Sequence, residues 1–247
     1  RFDDRATGKV SAFAPDAAIL HIDIDKSEFN KIKKSTLSIK GNIADVLSML
    51  SDYVTPALHT EWIQTVQFKR SLYIKSRNRA CDQLHPASII RLTGSIASRN
   101  AIITTDVGQH QMWVAQSYPF REPRTLLTSG GLGTMGFGLP TAIGAALAHP
   151  DRQVICFSGD GSILMNIQEL ATVADHRLNV KVLLFNNGHL GLVRQQQELF
   201  YKKNYIASEF ISNPDFATIA AGFGIKSATI NNTGDVEPTL KQVLSEK

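Results

Sequence analysis

Long apolar runs are missing from this 247-residue chain. No stretch reaches the roughly 18 residues a membrane-spanning helix needs, which excludes a helical membrane protein. Cysteine is scarce. Cys81 and Cys156 stand far apart and fit no metal-ligand spacing. That excludes a zinc ribbon and a disulfide scaffold, and it predicts reduced thiols in a cytoplasmic protein. Charge of one sign is nowhere concentrated. The formal net charge is +4, and the densest basic cluster, Lys31, Lys33 and Lys34, reads as a solvated face rather than a nucleic-acid footprint. Basic residues are not interleaved with aromatics as single-strand binders require. No repeat or low-complexity segment occurs. No first strand runs into a G-x-G-x-x-G turn with an acid about 20 residues on, which argues against a plain dinucleotide-binding enzyme. An initiating methionine is also missing: the chain opens at Arg1 in mid-pattern, RFDDRATGKV, which raises the expectation of a fragment.

What the chain does have is core-forming sequence, 43% of it hydrophobic. That is enough for one good core and part of another. Residues 18–25 (AILHIDID) predict a buried strand ending in acids, and 43–52 a helix. These residues, 1–52, read as the end of an α/β unit. Residues 53–85 carry no strand signal and one helical pattern around 60–71, so they read as an interdomain linker. From 86 to 247 strands and helices alternate. Strands are expected at 101–106, 153–161, 180–187 and 225–230. Helices are expected over 85–98, 137–148, 163–176, 190–199, 214–222 and 236–245. Continuous apolar strands alternating with helices predict an α/β fold, a doubly wound parallel sheet covered on both faces. Ligands in such folds sit beyond the carboxyl ends of the strands.

Three of the expected strand ends carry glycine and polar clusters: Asp106-Val107-Gly108-Gln109-His110, Gly159-Asp160-Gly161-Ser162 and Asn186-Asn187-Gly188-His189. A glycine-rich turn lets backbone N–H groups approach an anion at a helix N-terminus, where a diphosphate fits. An Asp after one strand and an Asn after the next can hold a hard divalent cation, which takes oxygen ligands and draws some of them from phosphate. Taken singly, each piece has a plain structural reading. GDG is a common turn, NNG a loop signal, and Ser162 an N-cap. Their joint occurrence at strand ends points to a site.

GDG, 24 intervening residues and then NN resembles the thiamine-diphosphate-binding motif. TSGGLGTMGFGLPTAIGAALA, TTDVGQHQMW, GDGSILMNIQELATV and RQQQELFY resemble the large catalytic subunit of the acetolactate (acetohydroxyacid) synthase family. RFDDRATGK and HIDID are similar to the end of that family's FAD-binding middle domain. The resemblance covers essentially the whole chain, and QQQ-x-LFY is similar to the bacterial isozyme I branch.

The resemblance implies a set of roles. Asp160 and Asn187 would bind Mg2+ through side-chain oxygens, with the backbone carbonyl of His189 as third ligand. Gly108, Gln109, His110, Gly161, Ser162, His189, Leu190 and Gly191 would surround the diphosphate of thiamine diphosphate. Gly133 and Met135 would meet its aminopyrimidine, and the Met135 side chain would wedge under the cofactor to keep it bent. A flexible apolar side chain suits that task. Asp4 and Arg5 would lie near the flavin and the substrate channel, and Asp23, Ile24 and Asn42 would touch FAD. The family usually has an acid where this chain has Asn42, so altered FAD affinity is expected.

The implied reaction joins pyruvate, after loss of carbon dioxide, to a second 2-oxo acid, in branched-chain amino-acid biosynthesis. The glutamate that activates the cofactor lies in the family on a partner chain's N-terminal domain, so the catalytic Glu is absent from this chain. Glu169 is not a substitute. Active sites between subunits imply a homodimer or homotetramer, with a possible regulatory small subunit. Gln196 stands where the family has a tryptophan favouring the larger second substrate. Its polar end implies a preference for pyruvate, giving 2-acetolactate. Other thiamine-diphosphate enzymes of the glyoxylate carboligase or pyruvate oxidase type, and a non-catalytic cofactor-binding fragment, remain alternatives.

Overall fold

The computed structural model describes residues 2–78 and 84–246, and Cys81 lies outside the described residues. The chain divides into two compact units, Arg1–Ser71 and Leu72–Lys247.

The first unit contains α1 (Asp4–Thr7), β1 (Leu20–Asp23), β2 (Leu37–Lys40) and α2 (Ile43–Ser51). β1 and β2 pair in parallel, Leu20 opposite Leu37 and Asp23 opposite Lys40. The sequence reading found β1 and missed β2, because LSIK is four residues long and flanked by polar residues. His21 of β1 is buried between Phe2 and Phe29, both edge-on, with ring centroids 5.3 and 5.0 Å away. Asn42 caps α2 by accepting the Ala44 N–H at 2.9 Å, which satisfies one of the helix's orphan donors. The boundary between the units falls within α3 (Thr60–Asn78), a helix that extends seven residues beyond the expected end at 71.

The second unit continues through α4 (Pro86–Ile96), β3 (Ile102–Thr105), α5 (Gln109–Ser117), β4 (Leu126–Thr128), α6 (Gly138–Ala148) and β5 (Val154–Gly159). It then runs through α7 (Asp160–Ile163), α8 (Leu170–Asp175), β6 (Val180–Phe185), α9 (Gly191–Phe200), α10 (Phe216–Gly222) and α11 (Val236–Ser245). The four strands form one parallel sheet in the order β4-β3-β5-β6.

Successive side chains on a strand point to opposite faces, and both faces of this sheet are apolar. Ile103, Ile155 and Phe157 pack on Ile90 of α4, Val114 of α5 and Leu244 of α11. Ile102, Val154 and Cys156 pack on Ala142, Ala145 and Ala146 of α6, whose small residues let the helix lie close. Leu170 and Val173 of α8 extend the second face toward β6. The α/β, doubly wound arrangement expected from the sequence is therefore present.

Three local expectations differ. Residues 225–230 form no strand. The Ile225 N–H is committed to the Ala220 carbonyl at the end of α10, at 2.9 Å, while its side chain packs into the core. Residues 163–176 are not one helix. Asn166, at φ −142°, interrupts it, and a 3-10 turn (Ile167–Glu169) leads into α8. β4 was not foreseen, because three residues are too few to show a period. Gly131, Gly133 and Gly136 do have G-x-G-x-x-G spacing, but they follow β4, an edge strand, rather than a first, central one. Among the described residues no helix is long and apolar enough to cross a membrane.

Candidate functional site

The chain leaves β3 for the edge strand β4, crosses back by α6 to β5, and continues outward to β6. The winding thus changes direction between β3 and β5. At such a switch point the loops beyond the strand ends diverge and leave a crevice. A cleft of about 240 Å³ lies there.

Asp160 follows β5 directly and is 3% exposed. Its Oδ1 accepts the Gly161 N–H at 2.9 Å, and its Oδ2 accepts the N–H groups of Asn187 and Gly188 at 3.1 and 2.6 Å. One carboxylate therefore joins the turn after β5 to the turn after β6. Asn187 turns its Oδ1 to the His189 N–H, at 3.2 Å.

Residues 208–210 strap the second turn from outside. Leu190 donates to the Ser208 carbonyl at 2.8 Å, Phe210 donates to the Gly188 carbonyl at 2.9 Å, and His189 bridges Glu209 antiparallel. Glycine is needed where these pieces meet. A Cβ on Gly161 would lie 2.6 Å from Leu190 Cδ2 and 3.0 Å from the Phe210 ring.

His110, in the first turn of α5, also lines the cleft. Burial pushes its imidazole down to about 4, opposed by a hydrogen bond to the Asp106 backbone. The ring is therefore neutral at neutral pH, and its buried Nε2 has no hydrogen-bond partner in the protein. Buried polar atoms without partners are uncommon and call for a ligand or water. Asp106, at the end of β3, is fully buried. Burial raises its carboxyl above the usual carboxylate range, against the N–H groups of Val107 and Gly136 that favour the anion.

The residues present fit a magnesium diphosphate. A carboxylate, an amide oxygen and a backbone carbonyl are the hard oxygen donors that Mg2+ takes. Among the described residues no three His, Cys, Asp or Glu side chains gather as a metal cluster. A cation here therefore has to complete its shell from bound phosphate and water. The backbone N–H groups of the glycine turns are the donors available to the anion.

The cleft brings together the residues singled out for cofactor and metal: Gly108, Gln109, His110, Gly133, Met135, Asp160, Gly161, Ser162, Asn187, His189, Leu190 and Gly191. Gln196 joins them from α9. Sequence reasoning missed the apolar wall of Trp113, Phe185, Leu192 and Val193. Trp113 lies three residues after His110 on α5 and meets Phe185 edge-on at 6.2 Å; that helical spacing was the available signal. Asp160 is the only carboxylate lining the cleft among the described residues. Glu169 instead accepts the Thr172 hydroxyl at 3.1 Å.

In the first unit, Asp23 ends β1, Ile24 follows it and is 68% exposed, and Asn42 follows β2. All three thus cluster at the carboxyl end of that small sheet. Asp23 Oδ1 accepts the Asp25 N–H at 2.9 Å. Asp4 and Arg5 belong to α1, and their side chains lie outside the described residues.

Residues 106–247 match the family model for the C-terminal, thiamine-pyrophosphate-binding domain of thiamine pyrophosphate enzymes, and residues 1–50 match the model for their central domain. The chain is 50% identical over 245 residues to the acetolactate synthase isozyme 1 large subunit of Escherichia coli strain K12, covering 99% of this chain and 44% of that protein. It is 40% identical to the isozyme 2 large subunit of the same organism, with the same coverage. It is 41% identical to the acetolactate synthase large subunit of Lactococcus lactis, over 100% of this chain and 43% of the relative. The chain thus spans less than half the length of these relatives.

Proposed function

The chain belongs to the thiamine pyrophosphate enzymes, and from that premise we propose that it is the cofactor-holding part of an acetolactate synthase large subunit. The observation that carries this reading is the Asp160 carboxylate, which joins two strand-end turns at the floor of a cleft on the switch point. Asp160, Asn187 and the His189 carbonyl hold Mg2+. The turns at Gly108–His110, Gly161–Ser162 and Leu190–Gly191 hold the diphosphate. Gly133 and Met135 meet the aminopyrimidine.

When bound, thiamine diphosphate supplies the carbanion chemistry that decarboxylates pyruvate and joins the remaining carbons to a second 2-oxo acid. The chain's own residues bind and orient it. Trp113, Phe185, Leu192 and Val193 keep water from the reacting end, where excluded water strengthens electrostatic contacts. Gln196 offers the second substrate a polar wall, which favours pyruvate and so 2-acetolactate.

Asp4, Arg5, Asp23, Ile24 and Asn42 are read as the FAD side of the first unit. Asn42 already spends one lone pair on its helix cap, which supports altered rather than lost flavin affinity. The whole protein is read as a cytoplasmic homodimer or homotetramer in isoleucine and valine biosynthesis, with its activating glutamate on a partner chain and room for a small regulatory subunit.

Calorimetric titration with thiamine diphosphate, with and without Mg2+, tests the site. Metal-dependent binding that disappears in Asp160→Ala is the expected result. A folded full-length protein that binds equally well without metal, or not at all, overturns it. Product analysis of the full-length protein tests the activity. Acetolactate is expected; tartronate semialdehyde, or peroxide with acetyl phosphate, would assign a different thiamine-diphosphate enzyme.

A further inference from the structure

Gly136 sits where the glycine loop leaves the surface. Residues 130–134 are largely exposed, Met135 is half-buried and lines the cleft, and Gly136 is buried. Its backbone is left-handed, φ +87°, and a Cβ there would lie 2.7 Å from Asn166 Nδ2 and 2.8 Å from Met165 Cβ. Both polar groups flanking this residue are gripped from inside the fold. The Gly136 N–H donates to Asp106 Oδ1 at 2.7 Å. The Gly136 carbonyl accepts from Asn166 Nδ2 at 2.7 Å. Asp106 is itself fixed by the Val107 N–H at 2.9 Å and the Ser158 hydroxyl at 3.3 Å. Asn166 is fixed by its place at the break between α7 and the following 3-10 turn. Neither side chain lines the cleft.

We infer that Asp106 and Asn166 are positioning residues that grip Gly136 from both sides and thereby set how deeply Met135 reaches into the cofactor cleft. This rests on the proposed function, which places Met135 against the cofactor. The physical argument is short. The Gly136 N–H belongs to the peptide bond that leaves Met135, so fixing that plane fixes the Met135 Cα and the direction of its side chain. Hydrogen bonds to a buried carboxylate are among the strong ones, and a glycine at positive φ has no Cβ to hold the turn by packing. The clamp is therefore what decides the position of a side chain that is itself flexible.

Asn166→Asp tests this in the full-length holoenzyme, because it keeps the shape and removes the donor. Three quantities are compared with wild type: the thiamine diphosphate dissociation constant from Trp113 fluorescence, kcat, and deuterium uptake of the peptide covering 130–138 without cofactor. The expected result is faster uptake, a kcat lowered at least tenfold, and a dissociation constant changed less than threefold. Should the added carboxylate prevent folding, Asn166→Ala removes the same donor without a charge. Asp106→Asn, which retains one acceptor oxygen, is expected to lose less kcat than either. Unchanged uptake, or a kcat that falls only in step with cofactor affinity, overturns the inference while the proposed function stands. A wild-type protein that binds no thiamine diphosphate overturns both.

Discussion

Asp160 accepts the Gly188 N–H at 2.6 Å across 28 positions of sequence. That contact makes the turn after β6 depend on the carboxylate after β5. The carboxylate proposed to bind metal therefore also holds the loop that carries the second proposed ligand. Asp160→Asn separates the two roles. The amide retains one acceptor oxygen, so the protein remains folded, while the negative charge that a hard cation needs is gone. The expected outcome is a thermal midpoint within a few degrees of wild type and a loss of Mg2+-dependent thiamine diphosphate affinity on the order of 100-fold or more, since losing even an outer-shell partner of a metal site costs about 10–100-fold. Calorimetry at two Mg2+ concentrations checks it; wild-type affinity in this variant would remove Asp160 from the metal site.

Gly138 opens α6 beneath Asp106. A Cβ there would lie 2.8 Å from the Asp106 backbone nitrogen and 3.1 Å from its Cα. Backbone cannot yield as a side-chain tip can. Gly138→Ala is expected to cost about 1–3 kcal/mol, the range for overpacking a close-packed interior. A lower urea midpoint with an unchanged slope is the signature to look for.

His110 makes stability depend on pH. Its folded value is about 4, below the ordinary 6.5. Between those two values the unfolded chain binds a proton that the folded chain refuses. Stability therefore rises with pH through this window and falls as pH drops from about 6.5 to about 4. The full contribution is roughly 3 kcal/mol. His110→Gln should flatten the acid slope of urea-melt stability between pH 7 and pH 4. An unchanged slope would mean that the imidazole is not desolvated in solution.

Cys156 lies in the middle of β5, fully buried, with burial pushing its thiol up to about 12. Thiolate is the reactive form. In a Cys81→Ser background, the native protein is expected to be inert to a thiol reagent at pH 8 and to react with one equivalent after denaturation. Rapid labelling of the native form would contradict the packing of β5 against α6.

Gln196 lines the cleft from α9. Gln196→Trp adds apolar area to the wall proposed for the second substrate. A methylene in such a pocket is worth roughly 1–3 kcal/mol, so preference for 2-oxobutyrate over pyruvate should rise about tenfold or more in the full-length enzyme. Competition between the two acids measures it, and an unchanged product ratio would place Gln196 outside the substrate pocket.

Much of the site was legible in the chain because the signals are local. Asp160 and Gly161 share one turn, as do Asn187 and Gly188. Glycine freedom, strand-end polarity and the apolar runs of β3, β5 and β6 are properties of near neighbours. The two short strands were not legible. β2 and β4 have four and three residues, and each is held as a strand by its parallel pairing with β1 or β3. The expected 225–230 strand shows the reverse: an apolar segment whose first N–H was claimed by the end of α10.

The sequence by itself determined the α/β alternation and the family, because side-chain period and turn chemistry travel with the residues. Only the tertiary structure decided the strand order, which sets β3 beside β5 and opens the cleft between them. It also decided that Trp113 meets Phe185, that residues 208–210 strap the Asn187 turn, and that Asp106 and Asn166 close on Gly136. Each of these joins residues 18 or more positions apart in sequence. Their energy comes from burial and hydrogen bonds that no local pattern contains, and it is realised only once the sheet has brought the partners together.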